Sequence, residues 1–127
     1  MADPDALRVL LIDNDPNTRE LLLRDLQSLG HHVTEAEDGS QGVEAAKKDP
    51  PPELLVIDLT MDMLGGDAVV EQIQSDPRTA GVPAIFCSMQ RYATVRRKLG
   101  DKPRVTLFKP FRLEELKAAI AGALASG

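Results

Sequence analysis

The residues of this sequence that could do chemistry together stand at the ends of short apolar runs. They are two carboxylates, an amide, a hydroxyl and an ammonium, carried by Asp13, Asn14, Asp58, Ser88 and Lys109. Carboxylate and amide oxygens suit Mg²⁺, a carboxylate can attack a phosphoryl group, and Lys and Ser side chains can hold that group's oxygens. Any one of them alone is typical of a helix cap, a turn or a solvated side chain. Because four different runs end in compatible groups, the set indicates a small site for a cation and a phosphoryl group.

The apolar runs alternate with segments of helical pattern. A strand is predicted over 8–12, and Asp15 and Pro16 then supply an N-cap and a first helical residue. Leucines recur at helical spacing up to Gly30, which ends this helix. Further strands are predicted over 32–36, 54–57, 84–87 and 105–108. A second helix is predicted over 39–48. Three more are predicted from their apolar faces, which consist of Val69, Val70 and Ile73 in the third helix, of Tyr92, Val95 and Leu99 in the fourth, and of Leu113, Leu116, Ile120 and Leu124 in the last.

This alternation predicts the α/β fold class. Strands that are apolar throughout have no polar face to offer water, so they belong to a parallel sheet covered by helices on both sides. Because crossovers between parallel strands are right-handed, a doubly wound sheet is the simplest topology for this order of elements. In such a sheet, sites form at the carboxyl ends of the strands, which is where the five polar residues stand.

Composition indicates one domain over 1–127. The chain is 43% apolar and 28% charged, the balance of a soluble globular domain. Its single cysteine, Cys87, stands in an apolar run and is predicted to be a core residue, which suits a reducing compartment such as the cytosol. No apolar run has the length of a signal peptide or a membrane span, so no membrane partner is expected. His31 and His32 follow a helix-ending glycine and are predicted to be solvated turn residues.

Charge is distributed unevenly along the chain. Residues 1–76 contain 5 Lys+Arg and 17 Asp+Glu, net −12, whereas residues 77–127 contain 10 and 3, net +7, for a total of −5. A basic cluster within the second half consists of Arg91, Arg96, Arg97, Lys98, Lys102 and Arg104. Only one tyrosine neighbours the cluster, and aromatic residues that could stack on bases do not alternate with its basic residues. The cluster therefore favours an acidic protein partner over nucleic acid. We predict that Arg91, Arg96, Arg97 and Lys98 form a docking face.

Four motifs make essentially the whole chain resemble a known family. They are LLIDNDP at 10–16, LLVIDLTM at 54–61, PAIFCSM at 83–89 and LFKPF at 107–111, and they resemble the receiver domain of two-component response regulators. The resemblance implies a flavodoxin-like fold with five parallel strands in the order 2-1-3-4-5. It also implies a phosphoacceptor in a phosphorelay, phosphorylated with Mg²⁺ by a sensor histidine kinase or phosphotransfer protein and relaying its state to a protein partner. Such a domain is not an enzyme.

The resemblance also implies roles for particular residues. Asp58 would be the phosphoacceptor, Ser88 the switch hydroxyl, and Lys109 the lysine of a Lys-Pro motif whose peptide bond is cis. Asp13 and Asn14 stand where the family has its acidic metal-binding pair. The backbone carbonyl of Thr60 would be a further metal ligand, beside the side chain of Asp58.

Four positions depart from the family pattern. Asn14 replaces the carboxylate that normally touches the metal, so Mg²⁺ binding is expected to be weak. Asp62 stands in place of the usual proline and Met89 in place of a small residue. Thr106 replaces the aromatic switch residue, so this position has no aromatic ring whose rotation could signal.

Two other functions fit parts of the sequence. A degenerate receiver, acting as an interaction module without phosphorylation, is favoured by Asn14, Met89 and Thr106. A small phosphatase with an Asp nucleophile is suggested by the Asp13–Asp15 pair after a strand, but Asn17 does not match its motif and the chain is short for that fold.

Overall fold

A computed structural model describes residues 6–59, 65–88 and 105–126 of the chain. Strands and helices alternate, and their bounds are β1 Arg8–Ile12, α1 Pro16–Ser28, β2 His32–Ala36, α2 Gly39–Ala46, β3 Leu54–Asp58, α3 Gly66–Gln74, β4 Ala84–Ser88, β5 Val105–Phe108 and α4 Leu113–Ser126. The predicted helix through Tyr92, Val95 and Leu99 lies outside the described residues. None of the helices in the described part is long and apolar enough to cross a membrane.

All strand pairs are parallel, and the sheet has the order β2-β1-β3-β4-β5. The predicted doubly wound fold and strand order are therefore confirmed. The central strands β1 and β3 are buried on both faces, because their alternate side chains belong to two different cores. The register places Ile12 beside Ile57, so β1 and β3 end next to each other.

Among the described elements, two helices pack on each face of the sheet. One core joins Leu11 and Val56 of the sheet to Leu22 of α1 and to Leu116 of α4. The other core joins Leu10, Ile57 and Phe86 to residues of α2 and α3, namely Ala46, Val69, Val70 and Ile73. This two-sided burial explains why the strands are apolar without alternation.

Both ends of α1 have the capping residues that the sequence predicts. The Asp15 side chain caps the helix, Pro16 is its first residue, and Gly30 has the positive φ of 94° that a helix-ending glycine adopts readily. The helix α2 ends at Ala46, two residues before the predicted bound.

The predicted apolar face of the last helix is partly wrong. Leu116 and Ile120 are buried, but Leu113 and Leu124 are 39% and 45% exposed. At about 100° per residue, Leu113 and Leu124 lie roughly 60° and 80° around α4 from Leu116, at the margin of the buried stripe. Ala123 lies nearer its centre, about 20° from Leu116, and Ala119 lies about 60° from Leu116 on the side opposite to Leu113. Both alanines pack on the sheet.

Glycine is required where α3 begins beside the end of β3. A Cβ added at Gly66 would overlap the carbonyl oxygen of Asp58 and lie 3.0 Å from the Cα of Leu59. The Gly66 N–H also donates to the Leu59 carbonyl at 3.0 Å. This close approach lets α3 start directly against the strand that carries Asp58.

We expect Gly66→Ala to lower the free energy of unfolding by about 1–3 kcal/mol, because the backbone of residues 58 and 59 must shift. The matched control is Gly122→Ala in α4, where a Cβ meets nothing within 4 Å. The control should stabilise the chain by about 0.5–1 kcal/mol through helix propensity. Urea denaturation measures both changes, and wild-type stability of Gly66→Ala would contradict the packing argument.

Candidate functional site

Two carboxylates and one ammonium meet at the carboxyl edge of the sheet. Asp58 is the last residue of β3, Asp13 follows β1, and Lys109 follows β5. The Lys109 Nζ atom lies 3.2 Å from Oδ2 of Asp13 and 3.7 Å from Oδ2 of Asp58. With all three groups ionised the cluster carries one net negative charge. The structure thus brings together three residues that are 45 or more positions apart in the sequence.

Asp13 is the most enclosed member of the cluster. It is fully buried, and its Oδ1 accepts a hydrogen bond from the Asp15 N–H at 2.9 Å. Burial raises the pKa of Asp13, and the nearby charge of Asp58 adds to the rise, while the Asp15 N–H and the Lys109 ammonium oppose it. Outside the cluster, Arg19 donates to the Asp13 carbonyl at 2.8 Å and pairs with Glu35 at 3.4 Å.

The start of α1 fixes the chain immediately after Asp13. The Asp15 carboxylate accepts hydrogen bonds from the Thr18 hydroxyl at 2.6 Å and from the Asn17 N–H at 3.1 Å. These bonds lower the pKa of Asp15, the Thr18 hydroxyl most strongly. Asn14 lies exposed between the buried Asp13 and this cap, so it is at the rim of the site and in contact with solvent.

Ser88 and Lys109 are positioned by the pairing of β4 with the chain after β5. Ser88 is the last residue of β4 and is fully buried, and its carbonyl accepts from the Lys109 N–H at 2.8 Å. The Lys109–Pro110 peptide bond is cis, as predicted, and the Asp49–Pro50 bond is cis as well. Cys87 is buried in the core, as predicted, and burial raises the pKa of its thiol to about 12.

Some predicted residues lie outside the described part of the chain. They are Thr60 of the metal site, Asp62 and Met89, and the docking-face residues Arg91, Arg96, Arg97 and Lys98. Thr106 is described, and it lies half-buried on β5 beside Phe86 of β4.

The oxygen atoms at this edge of the sheet could hold a divalent cation, but only two of the described side chains that carry them are negatively charged. Within the described ranges, no three His, Cys, Asp or Glu side chains are grouped closely enough to hold a metal ion. Asp13 and Asp58 offer two carboxylates, and Asn14 offers a neutral oxygen in the place of a third. Oxygen donors of this kind suit Mg²⁺, although the lower charge favours weak binding.

A groove next to the site is not among the sequence predictions. It has a volume of about 470 Å³ and lies between α1 and the chain after β5, lined by Thr18, Leu21, Leu22, Asp25, Lys109, Pro110 and Phe111. Leu21 is 63% exposed, the most exposed large apolar residue of the described chain. The sequence indicates such an exposed apolar surface through three consecutive leucines at 21–23, because the buried stripe of one helix cannot include all of them.

Comparison with known proteins defines the family. The profile of the response regulator receiver domain matches residues 9–121, and the chain belongs to this family. The family consists of signalling modules of two-component systems that interact with kinases or phosphotransfer proteins and with downstream effectors.

Two curated relatives and one solved structure are similar to the chain. The chain is 31% identical over 118 residues to the sensor histidine kinase TmoS of Ectopseudomonas mendocina, covering 92% of this chain and 12% of that protein. It is 29% identical over 121 residues to the protein PilH of Pseudomonas aeruginosa, covering 93% and 98%. A receiver domain of a P. aeruginosa sensor histidine kinase, solved with a magnesium ion in its active-site cleft, superposes with a TM-score of 0.83 at 24% identity, covering 94% and 98%.

Replacing Lys109 by Met keeps an apolar stem and removes the ammonium from two buried carboxylates. We expect the free energy of unfolding at pH 7 to fall by about 3 kcal/mol, the usual effect of removing one partner of a buried ion pair. Adding Asp13→Asn should recover part of the loss, because one uncompensated charge then disappears. The matched control is Lys117→Met on the exposed surface of α4, measured by the same urea denaturation. Equal stability of the two single variants would show that the ammonium does not balance the carboxylates.

Proposed function

We propose that the chain is a phosphoacceptor receiver in which Asp58 takes up the phosphoryl group. The observation that carries the proposal is the position of Asp58, at the end of a central strand and 3.7 Å from the Lys109 ammonium. Strand ends at the switch point of a doubly wound sheet are where such folds place their sites. Membership in the receiver family supports the same function.

Accessibility favours Asp58 over Asp13 as the nucleophile. Asp13 is 0% exposed, and its two oxygens are engaged by the Asp15 N–H and by Lys109. Asp58 is 8% exposed, so a donor phosphoryl group can approach its carboxylate with less rearrangement. Asp13 instead holds Lys109 in place, in addition to the part of its carboxylate in the metal site.

The transfer is a nucleophilic displacement at phosphorus. An Asp58 carboxylate oxygen forms a bond to the phosphorus of a phosphohistidine or a small acyl phosphate, and the bond from phosphorus to the donor atom breaks. The electron pair of that bond leaves with the donor, and a donor imidazole nitrogen keeps it as a lone pair. In this proposal the Lys109 ammonium and the Ser88 hydroxyl bind the oxygens of the transferred group.

Mg²⁺ would be held by the carboxylates of Asp13 and Asp58, the amide oxygen of Asn14 and the carbonyl of Thr60. When bound, the ion supplies positive charge that offsets the negative oxygens of the phosphoryl group. With one carboxylate fewer than the family pattern, this chain has to rely more on Lys109 for that compensation.

Phosphorylation can be tested with acetyl phosphate and Mg²⁺, read as intact mass. The wild-type chain should gain one phosphoryl group, and Asp58→Asn should gain none because an amide is not a nucleophile for this transfer. The matched control is Asp38→Asn, which changes an exposed helix cap to another good cap residue and should still be phosphorylated. A mass gain in Asp58→Asn equal to the wild type would place the acceptor at another residue.

Asn14→Asp should tighten Mg²⁺ binding, because it restores a third carboxylate at the rim of the site. The control is Asn17→Asp, the same substitution in the exposed first turn of α1, which adds equal charge outside the donor set. Calorimetric titration should show a fall in Kd of about tenfold for Asn14→Asp beyond any change in the control. An equal effect of both substitutions would mean that position 14 acts only through long-range charge.

The groove lined by Leu21 and Phe111 gives the phosphodonor protein a place to dock. It adjoins Lys109, so a partner bound there stands next to the acceptor. An exposed leucine beside a half-buried phenylalanine, with a polar rim, is typical of a transient protein interface. We therefore assign this groove to the sensor histidine kinase or phosphotransfer protein.

Leu21→Asp should slow phosphoryl transfer from a phosphohistidine-bearing donor protein by about tenfold or more, because it removes an apolar anchor from the groove. Transfer from acetyl phosphate should be unchanged, because that donor needs no docking surface. Leu124→Asp is the matched control, since Leu124 is another exposed leucine but is absent from the groove lining. Equal rates for wild type and Leu21→Asp with the protein donor would rule out docking through Leu21.

The degenerate receiver is the second candidate, and the exposed Asn14 in place of a carboxylate favours it. It differs from the first in one observable, because its partner binding would be the same with and without phosphodonor. The docking face of Arg91, Arg96, Arg97 and Lys98, with an acidic partner, is common to both candidates and stays a prediction. Steady turnover of a phosphate ester, in place of a single transfer, would instead indicate the phosphatase.

A further inference from the structure

We propose a second binding site, for a small organic anion with an apolar ring, at the amino-terminal end of β1 and β2. A cavity of about 310 Å³ lies there, between the two strands, the end of α2 and the proline-rich segment 50–52. This volume is at the lower end of the range typical of small-molecule sites. The cavity is at the opposite edge of the sheet from Asp58.

The strand register brings two basic side chains to the mouth of this cavity. Arg8 of β1 is the direct neighbour of His32 of β2. Two residues further along, Leu10 and Thr34 are paired in the same way, and alternation along a strand puts all four side chains on one face. It is the face that packs against α2, because Leu10 belongs to the same core as Ala46. Lys48, just beyond the end of α2, completes the basic rim.

Two carboxylates near the cavity are already paired, one of them with Arg8 of the cavity itself. Glu53 pairs with Arg8 at 3.5 Å, and the Arg8 Nε also donates to the Pro51 carbonyl at 3.0 Å. Asp49 pairs with Arg78, which comes from the turn after α3. Across the described ranges, no side-chain hydrogen bond or ion pair engages the Lys48 ammonium or the His32 imidazole. The rim therefore retains uncompensated donors for an anion.

The residues that line the cavity determine which apolar group the ligand should carry. Leu10, Ala45, Pro50 and Pro52 present apolar surface within the cavity, and the Thr34 hydroxyl adds one polar contact. Proline and leucine surfaces favour a flat apolar group, while Lys48 and His32 favour a phosphate or carboxylate attached to it. A purely inorganic anion would leave the apolar lining unused, and a neutral ring would leave the basic donors unused.

This site is independent of the phosphoacceptor. β1 runs from Arg8 at the cavity to Ile12 beside the Asp13 cluster, a span of about 13–15 Å for a strand of this length. None of the cavity-lining residues belongs to the Asp13, Asp58 and Lys109 cluster. Loss of one site should therefore leave the other intact.

An NMR titration of the ¹⁵N-labelled chain without Mg²⁺ tests the proposal, with phenyl phosphate as the probe. Phenyl phosphate should shift the amide signals of Thr34 and Lys48 with a Kd on the order of 1 mM. Inorganic phosphate and benzyl alcohol, each with half of the required chemistry, should bind about tenfold more weakly. A Kd for benzyl alcohol equal to that of phenyl phosphate would overturn the anion specificity, and the absence of shifts at Thr34 and Lys48 would overturn the site.

Two neighbouring lysines provide a matched pair of variants. Lys48→Gln should weaken phenyl phosphate binding by about tenfold, because it removes an unpaired ammonium from the rim. Lys47→Gln should change it by less than twofold, since Lys47 pairs with Glu44 and does not line the cavity. Both variants should accept phosphate on Asp58 as the wild type does. Equal weakening by the two variants would mean that general surface charge, and not this cavity, attracts the anion.

Discussion

The arrangement at the carboxyl edge of the sheet depends on one ammonium shared by two carboxylates. Asp13 and Asp58 end adjacent strands, and without a cation between them their charges would repel in a largely buried setting. Lys109 provides that cation at 3.2 and 3.7 Å, and its own backbone is fixed by the hydrogen bond to the Ser88 carbonyl. The pairing of β4 with the end of β5 therefore positions the ammonium that compensates the charges of the two carboxylates.

The rest of the fold fixes the position of this edge of the sheet. Two apolar cores hold β1 and β3 in register, so the ends of these strands have little freedom. On one side, the Asp15 cap and Arg19 fix the chain after Asp13, and on the other Gly66 lets α3 begin against the Asp58 carbonyl. Such rigid support is what a nucleophile needs if its geometry is to be set before the donor arrives.

Sequence patterns predicted the strands well because each is a short, fully apolar run between turn residues. They also predicted that Asp13, Asp58 and Lys109 converge, since parallel strands share one carboxyl edge. They could not predict which leucines stay exposed. Leu113 and Leu124 fit a helical stripe, yet the small residues Ala119 and Ala123 pack on the sheet, a choice made by helix rotation. The groove at Leu21 and the cavity at Arg8 and His32 depend on elements far apart in the sequence, so local patterns carry no signal for their shape.

The central claim is that the side chain beside Lys109 at the end of β3 becomes an acyl phosphate. Borohydride reduces an aspartyl phosphate to homoserine, so treatment of the acetyl phosphate-reacted chain, followed by peptide mass spectrometry, locates the modified residue directly. We expect homoserine at position 58 alone, and none when phosphodonor is omitted. Homoserine at position 13 or 15, or its absence from every position after the chain has gained phosphate, would contradict the assignment of Asp58 as the acceptor.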